Sequence, residues 1–196
     1  MKKVFFMILI SSLCLWMVGC GNSMSSFDES TLIIGKDGAI TDVIVESFDK
    51  DYYTEQGLTT FFNETISNFS VNHPESAVKL SGISVEDGIA RAKLNFNSAD
   101  TYKEFYDTEL FFGTISDAYD NGYDMDVTLK STNSDKTINK NEIMEMAKNT
   151  IVIVDDKLCI KTPGNVKFAS ANVEVINGKS VRISSDSSGL AYLILD

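Results

Sequence analysis

Thr31-Leu32-Ile33-Ile34-Gly35-Lys36-Asp37-Gly38-Ala39-Ile40-Thr41-Asp42-Val43-Ile44-Val45 is the stretch that decides the fold class. Two β-branched, apolar runs flank Lys36-Asp37-Gly38, and Asp-Gly between such runs is a strong tight-turn signal, so residues 31 to 48 are predicted as a β-hairpin. A hairpin joins antiparallel strands, whereas parallel neighbours need a long crossover. The same device recurs downstream. Val78, Leu80 and Ile83 lead into Glu86-Asp87-Gly88, and Ile89, Ala90, Ala92, Leu94 and Phe96 follow, which predicts a second hairpin from about 77 to 96. Asn177-Gly178 marks a third turn, across which Val173 and Val175 face Val181 and Ile183.

Helices fall between these hairpins. Leu58, Phe61, Phe62, Thr65, Ile66 and Phe69 keep to one face of a 3.6-residue period, predicting a helix at about 54 to 70 that His73-Pro74 stops. Ser98-Ala99-Asp100 reads as an N-cap, with a helical region reaching about Asn121, broken near Thr108 or Gly113 and ended by Asn121-Gly122. A strand is expected at Met125–Lys130, a polar loop at 131 to 139, and a short helix capped by Asn141 and carrying Ile143, Met146 and Ala147. From Thr150 only short strands follow, near 150–154, 158–162, 165–169, 172–176, 180–184 and 190–195. The expected class is α+β: antiparallel β-hairpins with two or three packed helices, followed by a C-terminal β-meander. An α+β region at 31–149 and a β-rich region at 150–196 would pack as one domain, since so short an all-β piece buries little apolar area alone.

Composition narrows the function classes. The chain has 196 residues, is 43% hydrophobic and carries formal charge -11, a surface that repels nucleic-acid phosphates and anionic lipid head groups. The single histidine, His73, would have to serve any Ser-His-Asp or Cys-His arrangement, and it sits in a helix-ending turn. One histidine and one leftover thiol also make a poor zinc set. Glycine-rich phosphate loops are absent, so no cofactor is expected.

The first 20 residues report location. Lys2 and Lys3 precede the apolar stretch Val4 to Val18, and Gly19-Cys20 closes it. The stretch is shorter than the roughly 20 apolar residues of a membrane-spanning helix. This segment resembles the export signal of bacterial lipoproteins, with Met17 standing where that family usually has leucine. The resemblance covers residues 1–20. It implies that residues 1–19 are removed as a signal peptide and that Cys20 becomes an acylated N-terminus on the extracytoplasmic face of the cell membrane. Asn22 to Ser30 is small and polar, so residues 20–30 are expected to form a flexible tether. Cleavage removes Cys14 and acylation uses Cys20, leaving Cys159 as the lone thiol, expected as a half-buried strand residue. Fifteen lysines against two arginines point to an A·T-rich genome, in keeping with small Gram-positive lipoproteins.

Within the body, Asp117, Asp120, Asp124 and Asp126 are the best metal candidates, because calcium takes several oxygen ligands from one loop. Their spacing does not match an EF-hand. The aromatic-rich stretch supplies Tyr106, Tyr119 and Tyr123 as candidate binding residues, for stacking on a sugar or anchoring an envelope protein. No catalytic residue stands out. The reading is a membrane-anchored lipoprotein with a non-enzymatic binding domain. A carboxylate-dependent hydrolase such as a glycosidase, or a structural envelope assembly factor, is the alternative.

Overall fold

Both expected hairpins form, and the local chemistry explains them. The computed structural model describes residues 24–50, 53–186 and 188–196, so the expected signal, Cys20 and Asn22 lie outside the described residues. Strands β1 (Thr31–Ile34) and β2 (Ile40–Ser47) pair antiparallel, with Leu32 opposite Asp42. Their turn needs Gly38 at φ +82, and the Asp37 carboxylate accepts the Ala39 N–H at 3.2 Å. Helix α1 (Glu55–Ser70) starts where Thr54 Oγ1 accepts the Gly57 N–H. Strands β3 (Val78–Glu86) and β4 (Ile89–Phe96) turn through Asp87 and Gly88, both at positive φ, the pairing that matches strand twist. Ser98 caps α2 (Ala99–Tyr106) as expected.

The break expected near Thr108 is there, but the chain beyond it does not resume as helix at once. Asp107 takes the left-handed conformation at φ 52 and ends α2, and Leu110–Thr114 is a strand, β5. The Leu-Phe-Phe-Gly-Thr composition suits a pleated, half-buried surface better than a helix. Helix α3 (Ile115–Asp120) then ends in the left-handed manner expected: the Tyr123 N–H reaches the Ala118 carbonyl, the Gly122 N–H that of Tyr119, and Gly122 has φ +86. The next strand, β6 (Leu129–Ser131), is shorter and later than expected, and β7 (Thr137–Ile138) lies in the stretch expected as loop. Helix α4 (Lys140–Glu145) is capped by Asn139 rather than Asn141, in a reciprocal box with Glu142.

The tail holds six strands near the expected positions: β8 (Thr150–Val154), β9 (Cys159–Lys161), β10 (Val166–Ala169), β11 (Val173–Asn177), β12 (Ser180–Ile183) and β13 (Ala191–Leu195). They are not a meander. The chain passes back and forth between two sheets, ordered β11-β12-β9-β1-β2-β4-β3 and β5-β8-β13-β10-β6-β7. Only β1 and β9 pair parallel; every other described pairing is antiparallel. The molecule is therefore α+β, with four α-helices and thirteen strands among the described residues. Strands on both sides of residue 150 hydrogen-bond to one another in each sheet.

Two apolar layers result. Leu32, Ile34, Ile40, Leu94 and Phe96 on the inner face of the first sheet meet Val152, Val154, Leu193 and Leu195 of the second, with α1 and α2 closing the β2-β4-β3 end. The opposite face of the second sheet, with Ile151, Ile153, Tyr192 and Ile194, is covered by Ile115 and Ala118 of α3 and Ile143 of α4. Residues 24 to 30 depart from the expected tether. Met24–Ser26 forms a short 3-10 helix and Phe27 is buried against the outer face of the first sheet, since a phenylalanine in a polar run gains by leaving water.

Candidate functional site

The end of α2 and the strand after it build a cleft of about 460 Å³ between α2, β5, the end of α3 and the β1–β2 turn. Lys103, on the last turn of α2, donates from Nζ to Glu109 Oε2 at 2.8 Å. Tyr123, placed by the left-handed end of α3, donates its hydroxyl to the same oxygen at 2.9 Å. Two donors on one oxygen fix the Glu109 carboxylate, and among the described residues its other oxygen carries no hydrogen bond, which leaves acceptor capacity on a residue that lines the cleft. The hydrogen bond from Lys103 holds Glu109 below the ordinary carboxylate range, and that same bond raises Lys103. Burial, then Glu109, pushes Tyr123 up.

Asp37, Ser98, Asp100 and Asn121 add polar groups to the wall, and Phe111 and Phe112 add apolar surface. Phe111 and Tyr123 rings lie 5.2 Å apart. Carboxylate and amide groups beside aromatic rings accept hydroxyl donors while covering the apolar face of a small polar ligand. Glu109 is a settled anion at neutral pH, which suits it to accepting hydrogen bonds and not to donating a proton.

A second polar cluster lies under α2, with Asp42 and Tyr102 buried and Tyr106, Thr108 and Asp156 half-buried. Asp42 is 4% exposed and accepts the Tyr106 hydroxyl at 2.7 Å. Asp156 accepts from Tyr102 at 2.9 Å and from Thr108 at 3.2 Å. Burial pushes the Asp42 carboxyl up to about 6 against the pull of the Tyr106 bond, with the Asp156 charge adding to the rise. Tyr102 and Tyr106, whose rings are 4.8 Å apart, are both raised, chiefly by burial. This cluster locks α2 to β2 and to the loop after β8.

The three tyrosines expected to bind do not share a surface. Tyr123 lines the cleft. Tyr106 turns inward to Asp42 and packs edge-on against Phe105, because α2 needs that face for the core. Tyr119 stands exposed on α3, outside the cleft. The four aspartates do not converge either. Asp117 accepts the Thr114 N–H and hydroxyl in the α3 cap, and Asp124 accepts the Asp126 N–H. Asp120 is exposed, and no three His, Cys, Asp or Glu side chains come together as a metal set among the described residues.

His73 is a helix-end residue. Its Nδ1 is 2.9 Å from the Phe69 carbonyl, its Nε2 is 2.8 Å from Glu104, and its ring stacks on Phe69. Cys159 is buried more fully than expected, and burial followed by Glu29 pushes its thiol up to about 11. Lys103, Glu109 and Asp42 were not singled out from sequence. Asp42 had a signal, since the alternation Ile40-Asp42-Ile44 puts a carboxylate on an apolar strand face. Lys103 and Glu109 had none, because a helix end and a reversal separate them. Among the described residues no helix is long and apolar enough to cross a membrane. Comparison with family models, curated proteins and solved structures finds no match to this chain.

Proposed function

We propose that this chain is a lipid-anchored extracytoplasmic protein that binds a glycan without chemical turnover, in the cleft around Glu109. The observation that carries the binding reading is the pair of donors, Lys103 and Tyr123, fixed on one Glu109 oxygen beside the Phe111 ring. A preset acceptor next to an aromatic surface is what a polyhydroxylated ligand meets with little loss of side-chain entropy. The Lys2 to Cys20 pattern supports the location, with the acylated Cys20 supplying the membrane hold. The lowered Glu109 favours binding over hydrolysis, because a glycosidase needs one acid held protonated near neutral pH.

The test is NMR titration of the protein with soluble cell-wall glycan fragments. Shifts should cluster at Ser98, Lys103, Glu109 and Tyr123, and Tyr123→Ala with Glu109→Gln should abolish them. Saturable binding that survives both substitutions, or release of reducing ends during the titration, contradicts the reading.

A further inference from the structure

Very little chain separates the expected anchor from the folded body. Met24 lies over Gly82 of β3, where an added Cβ would be 3.0 Å from the Met24 Cε. The Phe27 carbonyl accepts Arg91 Nε at 2.9 Å, and Lys161 Nζ stands 4.5 Å from the Phe27 ring centroid. The four residue steps from Cys20 to Met24 span at most about 14 Å when fully extended. An acyl anchor on Cys20 therefore brings the outer face of the first sheet to the bilayer.

That face is not acidic, although the chain carries -11. Strand register sets Lys79 beside Asn95, Lys93 beside Gly82, and Arg91 beside Ser84 on the outer side of β3 and β4. Glu29 and Glu174 on the same side are both bonded to Arg182, and Glu86 lies at the far end of β3. Lys79 and Lys93 make no ion pair among the described residues. Unpaired cations close to a lipid attachment point match the phosphates of an anionic leaflet.

We propose that the outer face of the first sheet lies flat on an anionic phospholipid leaflet, with Lys79 and Lys93 against its headgroups. This rests on acylation of Cys20. The body then does not sway on a tether; it is held in one orientation, with lipid and lysines acting as two signals on one surface.

The test reconstitutes the full lipidated protein in phosphatidylglycerol vesicles and in phosphatidylcholine vesicles, sediments them, and follows lysine acetylation by mass spectrometry. Lys79 and Lys93 should label about fivefold more slowly on phosphatidylglycerol than on phosphatidylcholine, the bias expected of one lysine at an anionic surface. Lys140 and Lys148, exposed on and after α4, should label alike on both. Sedimentation with equal labelling of all four on both lipids overturns the flat orientation while leaving the anchor intact. Failure to sediment with either lipid overturns the anchor and the orientation together.

Discussion

Asp42 occupies a strand position whose neighbours Ile40 and Ile44 point to the apolar interior, and it stays there because Tyr106 donates to it. The folded carboxyl keeps its proton to about pH 6, while its ordinary value is 3.8. Between those values the folded state binds more protons than the unfolded one, so this residue makes stability fall as pH rises through that window. Asp42→Asn removes the slope. Urea unfolding should show the variant gaining on wild type, on the order of 1–3 kcal/mol, between about pH 4 and about pH 7; parallel pH profiles would mean the carboxyl is solvated. Tyr106→Phe strips the donor and should destabilise by about 1–3 kcal/mol at neutral pH. His73 is raised by its bond to the Phe69 carbonyl, with Glu104 adding to the effect. Its stabilising contribution is complete below its ordinary 6.5 and is lost as pH rises through the raised folded value. The denaturation midpoint of His73→Leu should therefore fall below that of wild type in acid and approach it in alkali; a constant gap across that range contradicts the assignment.

At the scale of elements, the sequence was most legible where turn chemistry and periodicity agree. Asp37-Gly38, Asp87-Gly88 and Asn121-Gly122 each put a glycine at positive φ, and the adjoining strands and helix follow. Helix α1 was legible because its apolar residues repeat from Leu58 to Phe69, over about three turns. The strand β5 was hidden because Tyr102, Phe105 and Tyr106 run into Phe111 and Phe112 with no glycine or proline between. Asp107 makes the reversal in a conformation that its sequence does not advertise. Asp107→Gly should leave the fold intact and relieve up to about 1 kcal/mol of left-handed strain, whereas Gly122→Ala should cost about 1 kcal/mol, both readable as shifts in thermal midpoint. The cleft was half legible. Tyr123 stood out as an aromatic near a helix end, but its partners Lys103 and Glu109 meet it only through the β5 reversal.

For the whole molecule, the order of strands could not be read from one-dimensional pattern, since hairpin signals report neighbours in sequence and the tail weaves between sheets. Strand β9 sits between β12 and β1, and β8 between β5 and β13. Removing residues 150–196 takes inner strands from both sheets, so a chain ending at Asn149 should show no cooperative unfolding by circular dichroism, and the intact body should unfold in a single transition. The packing of Met24 and Phe27 on the outer sheet face joins this body closely to the residue expected to carry lipid. Metabolic labelling with an alkyne-tagged palmitate reads out whether Cys20 is acylated. Wild type should carry the tag and Cys20→Ala should not; equal labelling of the two, or none in wild type, contradicts the account.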